Sequence, residues 1–120
     1  MQSFGMRVAL GSTFALFMIA CGSSMPPPSD RLASAEAAAR SARELGADRE
    51  PKAQLHLKLA AEQIEQAKKL MADGDNKRAD LILQRANSDA ELSVWLAKEV
   101  NAKAEAEKAL EKVKSLKSGK

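Results

Sequence analysis

Between Pro51 and Gly74 the apolar residues Ala53, Leu57, Ala60, Ile64, Ala67 and Met71 recur in steps of four, three, four, three and four. That spacing puts all six on one face of an α-helix and cannot serve one face of a strand, where the period is two. Both ends are punctuated. Pro51 suits a first helical turn, where its missing N–H goes unnoticed, with Asp48 or Glu50 ahead of it, and Gly74 suits a stop. Every second position of the stripe is Ala. A helix packed on it comes close but buries little area per contact, at roughly 25 cal/mol per Å².

The flanking segments carry the same signal. Leu32, Ala35, Ala39, Ala42 and Leu45 line one face of a shorter helix, with Ser29 or Asp30 as N-cap and Gly46 as stop. After the turn "DGDN", Ala79, Leu83, Ala86, Ala90, Ala97 and Val100 form one stripe, and Ala102, Ala106, Ala109, Val113 and Leu116 form a second, slightly rotated one, predicting a third helix to about Lys117. At ~1.5 Å per residue the three helices measure ~24, ~33 and ~60 Å. The fold class is therefore all-α with a long C-terminal helix. Two arrangements satisfy the lengths: an antiparallel hairpin whose first helix is nearly collinear with the second and covers the tail of the third, or a three-helix bundle whose first helix folds back and leaves the tail projecting. Ala stripes on both the first helix and the tail favour the hairpin. Seams this thin also make self-association an expectation.

The first twenty residues have another composition. All three Phe lie there, Tyr is absent from the chain, and Trp95 is the one aromatic residue after them. Arg7, then the apolar run from Val8 to Ala20, then small residues before the single cysteine, Cys21, is the layout of a signal peptide. Thirteen residues span only ~20 Å as a helix, short of the ~30 Å needed to cross a bilayer. The residues "MIAC" resemble the lipobox of bacterial lipoproteins, with Met18 where Leu is commonest. That resemblance implies cleavage before Cys21 and a diacylglyceryl group, with palmitate-class chains, on its thiol. Cys21 has no second cysteine to pair with, and two or more acyl chains give stable anchoring where one does not. Gly22 in place of an Asp implies the outer membrane, facing the periplasm. The organisation is 1–20 signal peptide, 21–29 lipidated cysteine and tether, 30–120 helical domain. The tether "GSSMPPPS" reaches only ~25 Å at ~3.1 Å per residue.

The segment "A..QIEQAKKLMADGDNKRADLILQRA", with Ala recurring at helical spacing around a Gly turn, resembles the domain-of-unknown-function 4398 family. The resemblance covers residues 32 to 117. It implies a short Ala-rich helical domain of bacterial envelope lipoproteins, sometimes fused to a peptidoglycan-binding domain that is not seen in this sequence, and it implies no catalytic residue. Ala67, Leu70, Gly74, Ala79, Leu83 and Ala86 also sit at tetratricopeptide spacings, but Gln63 occupies the place of the motif's early Trp and no second copy follows. A lipidated helical chain with Lys120 at its end resembles the major murein lipoprotein, which implies a rival role: a covalent membrane-to-peptidoglycan tether through Lys120.

Little in the sequence offers chemistry. Asp73 and Asp75 open like a calcium loop, but Lys77 and Arg78 fall where a ligand and a Gly are required and Gln84 replaces the closing Glu, so turn and cap roles are expected. His56 is the sole histidine and is read as a surface or boundary residue; no metal or other cofactor is expected beyond the lipid on Cys21, and no enzymatic activity. The net charge of +3 does not point to nucleic acid, because export removes that partner and the charges alternate as helix-surface pairs such as Glu65 with Lys69. The excess Lys lies beyond residue 98, where it complements the helix dipole and leaves room for a contact with anionic wall or lipid groups. Trp95, flanked by Leu92 and Leu96, is the expected anchor, for the helical core by preference or for an envelope partner otherwise. The expected partners are the membrane, through the lipid, and an envelope protein or peptidoglycan.

Overall fold

The computed structural model describes residues 24–119, in the order α1 (Ser29–Glu44), a 3₁₀ turn (Ala47–Arg49), α2 (Pro51–Ala72) and α3 (Asn76–Ser118). Cys21, Lys120 and the segment 1–20 lie outside the described residues. The helix ends follow the local chemistry. Glu50 caps α2 by accepting a hydrogen bond from the Ala53 N–H, with Pro51 in the first turn. Gly74, at φ 79°, closes α2 with two bonds, its own N–H to Met71 O at 3.1 Å and the Asp75 N–H to Leu70 O at 2.8 Å. That pairing satisfies two carbonyls that the helix end would otherwise leave open. Gly46, at φ 85°, ends α1 in the same left-handed conformation. The expected cap of α1 is corrected: Ser29 and Asp30 fall inside the helix, and Pro28 precedes it without a side-chain cap.

The three helices form a bundle, up, down and up. Cross-helix hydrogen bonds fix the directions. Along α1 and α3, Arg31 pairs with Asp80, Ser34 with Asn87 at 3.0 Å, and Asn101 donates to Leu45 O at 3.0 Å, so these helices run parallel. Along α2 and α3, Ser93 reaches back to Ala53 while Gln63 and His56 both meet Asp89, so that pair is antiparallel. Lys68 of α2 reaches Glu36 of α1 at 2.8 Å and closes the triangle. The collinear hairpin favoured from sequence is thus replaced by its alternative. With α1 folded back beside both other helices, Ala35, Ala39 and Ala42 are covered from two sides, more than a two-helix seam with the tail provides.

The core is built almost wholly from the predicted stripes. Ala53, Leu57, Ala60, Ile64 and Ala67 of α2 are buried, as are Ala79, Leu83, Ala86, Ala90 and Ala97 of α3. Leu57, Ile64 and Leu83 are the only large aliphatic side chains among these buried residues. Ser93 is fully buried with them, and its hydroxyl donates to Ala53 O at 2.7 Å. Beyond Ala97 the bundle stops, because α1 and α2 end there. Val100, assigned to the core stripe by spacing, is 44% exposed, and residues 98–119 are exposed throughout.

Candidate functional site: the outer face and tail of α3

On a helix of 3.6 residues per turn, Trp95 lies about 160° around α3 from the centre of its buried stripe. It faces solvent, 66% exposed, with Leu92 beside it 42% exposed. Leu96 alone of the three packs against the core, and only partly. The preferred core role of Trp95 is therefore corrected. The buried face of α3 is already filled at 90, 93 and 97, and a residue two positions before Ala97 points the other way. The Lys98 ammonium sits over the Trp95 ring, 4.9 Å from its centroid, a surface cation–π contact.

Trp95 heads a stripe, not an isolated patch. Leu92, Trp95, Ala102, Ala106, Ala109, Val113 and Leu116 fall at a three-four spacing interrupted once, at Glu99. Leu116 and Val113 are 67% and 48% exposed. The stripe tracks one side of α3 from the bundle out along the tail, where no other helix touches it among the described residues. Glu99 is held to Lys103, one turn on, at 2.5 Å. That hydrogen bond and the attendant charge attraction lower the carboxyl of Glu99 below its ordinary value and raise Lys103 above its own.

The other sequence candidates resolve as local structure. Asp75 caps α3 by accepting from the Arg78 N–H at 3.3 Å and pairs with the Arg78 guanidinium at 3.3 Å, while Asp73 ends α2. His56 is half-buried with Nδ1 2.9 Å from Asp89 Oδ1, and Gln63 Nε2 donates to the other oxygen of Asp89 at 2.9 Å, a polar clasp between α2 and α3. Gln63 Oε1 is buried and finds no partner among the described residues. Glu65 pairs not with Lys69 but with Lys68, which Glu36 also holds; these two hydrogen bonds, Glu36 first, raise the Lys68 ammonium above its ordinary value. The surface depressions are open, and the one between α1 and α2 is lined by charged Glu36, Arg40, Arg43 and Lys68 around Ile64. Among the described residues no three His, Cys, Asp or Glu side chains are grouped to hold a metal ion, and no helix is long and apolar enough to cross a membrane. Ser93 is the residue that sequence reading missed. Its place in the run 86, 90, 93, 97 is the signal, a small polar residue on a core stripe.

At the opposite end of α3 from the tail, the Asn76 amide donates to Met25 O at 2.7 Å and holds the segment 24–28 against the base of the bundle. The N-terminal segment and the free tail thus leave from opposite ends of a helix of 43 residues, ~65 Å long at ~1.5 Å per residue.

The family model described as a domain of unknown function (DUF4398) matches residues 30–114. No curated protein and no solved structure matches the chain.

Proposed function

The chain belongs to the DUF4398 family, and on that premise we propose that it is a lipid-anchored periplasmic lipoprotein with a structural or adaptor role at the bacterial outer membrane. The observation that carries this reading is the polarity of the molecule. The lipobox-like "MIAC" leads into a short Pro-rich tether that docks at the base of the bundle, while the apolar stripe headed by Trp95 runs away from it along an uncovered tail. Lipid on Cys21 holds the base at the membrane, and the tail is the surface offered to other envelope components.

The role is one of contact and not of catalysis. The perturbed titratable groups, Lys68, Glu99 and Lys103, owe their shifts to surface ion pairs with one another or with neighbours, and each is solvent-exposed. The strongest polar cluster, His56 with Asp89 and Gln63, joins two helices, and the nearby Ser88 hydroxyl donates to Gln84 O at 3.1 Å.

Cys21→Ala tests the anchor. The wild-type protein is expected in the membrane fraction of expressing cells, and the variant in the soluble or inner-membrane fraction, unprocessed. A variant that fractionates with the outer membrane as the wild type does would overturn the reading. A peptidoglycan fragment on Lys120 would favour the covalent tether instead.

A further inference from the structure

We propose that the outer face of α3 is a self-association surface, through which two copies pair antiparallel about an axis at the level of Val100 and Asn101. The stripe has the three-four spacing of a coiled-coil seam, with an arc of α3 free between the lines where α1 and α2 pack, so one more helix fits there. The occupant is another copy because the flanking charges are self-complementary in one register.

In that register Trp95 faces Ala106 of the second copy and Leu92 faces Ala109, a large side chain against a small one at each layer. On the rim, Glu91 lies beside Lys112 and Lys98 beside Glu105, and the two-fold axis repeats both pairs. The neighbouring registers fail. Sliding by one heptad one way sets Lys98 against Lys112 and Glu105 against itself, and a second heptad that way leaves Trp95 and Leu92 without an apolar partner. Sliding by one heptad the other way sets Lys98 upon Lys98, Glu91 against Glu105 and Trp95 opposite Glu99, and a second heptad sets Lys77 against Lys112 and carries Val113 and Leu116 past the start of the facing α3. Parallel pairing stacks Glu99 on Glu99 and puts Lys98 next to Lys103 and Lys112 next to Lys117, all like charges. Glu99 meets Ala102 in the favoured register and keeps Lys103, its present partner, within one turn.

The overlap from residue 85 to 116 is ~48 Å long. A strip of that length between two helices buries roughly 1,000 Å² in total, at the low end for a specific interface, so the pair forms and dissociates readily. An antiparallel pair sets the two bases at opposite ends. Anchored through both tethers it lies along the membrane surface, whereas a single copy is free to stand. The pairing itself does not rest on the anchor.

Co-expression of two differently tagged full-length copies, with capture of one from a mild-detergent extract, tests this. The second copy is expected to be recovered. Lys98→Glu in both copies sets Glu against Glu105 twice and should lower recovery roughly tenfold, and adding Glu105→Lys should restore it. Both positions of change are exposed surface sites, so folding, checked by circular dichroism, is expected to be unaltered. Failure to recover the second copy, a Lys98→Glu variant that pairs as well as or better than wild type, or a loss that the double exchange does not repair would each overturn the proposal. An improved Lys98→Glu would mark the parallel arrangement, where that change relieves the clash with Lys103.

Discussion

Leu83→Ala is the sharpest perturbation of this core. Leu83 is fully buried, the most enclosed of the three large side chains in a core otherwise made mostly of Ala. Removing it deletes three carbons from a core whose only other large buried side chains are Leu57 and Ile64. Leu→Ala changes in well-packed cores cost about 2.7–5.0 kcal/mol, rising with the cavity that is left. A value of about 3 kcal/mol suits a seam that can close partly by sliding Ala faces together, and it multiplies the unfolded fraction about 150-fold. A domain of this size has about 5–14 kcal/mol in hand, so the variant folds but melts ~12–24 °C lower. Urea titration and thermal melts followed by circular dichroism measure this, with Leu81→Ala as the control. Leu81 is on the same helix but 52% exposed, and its truncation should stay within about 0.5 kcal/mol. If Leu83→Ala and Leu81→Ala destabilise equally, or Leu83→Ala costs under about 1 kcal/mol, the bundle does not rest on that layer.

Ser93→Ala removes the buried hydroxyl that donates to Ala53 O, whose carbonyl keeps a partner within α2; a loss of about 1 kcal/mol in the same urea titration is expected. Gly46→Ala forces a Cβ into a left-handed turn at φ 85° and against the Arg49 guanidinium, costing about 1–2 kcal/mol and lowering the melting temperature, mostly through the backbone because Arg49 can move aside. Lys68 has a raised folded value, so the stability from its pairs with Glu36 and Glu65 is fully present below the unfolded value of 10.5 and fades as pH rises through the folded one. Melts of wild type and Lys68→Met should therefore differ at neutral pH by a small amount, the exposed pair being screened by solvent, and converge as pH rises past the raised folded value.

Helix positions and core faces were legible because Pro51, Gly46 and Gly74 act through backbone geometry alone and the Ala stripes obey one period. The partner of each stripe was not legible. An Ala face fits any other Ala face, so the stripe on α1 matched the tail as well as it matched the first half of α3, and only the reversal at Gly46 and the 3₁₀ turn Ala47–Arg49 decides between them. Trp95 illustrates a related gap. Its hydrophobicity argued for burial, yet its angular position, opposite Ala90 and Ala97, already excluded it from the stripe that α2 fills. The clasp of His56, Gln63 and Asp89 spans two helices and 33 residues from His56 to Asp89, and nothing local to either segment announces it.

The central claim is that the base of this bundle is held at a membrane by lipid on Cys21 while the face of α3 headed by Trp95 is presented to other envelope components. Mass spectrometry of the protein taken from isolated envelopes tests it most directly. The account predicts an N-terminal peptide that begins at Cys21 and carries acyl chains. A chain that retains residues 1–20, or a Cys21 bearing a free thiol, would contradict it.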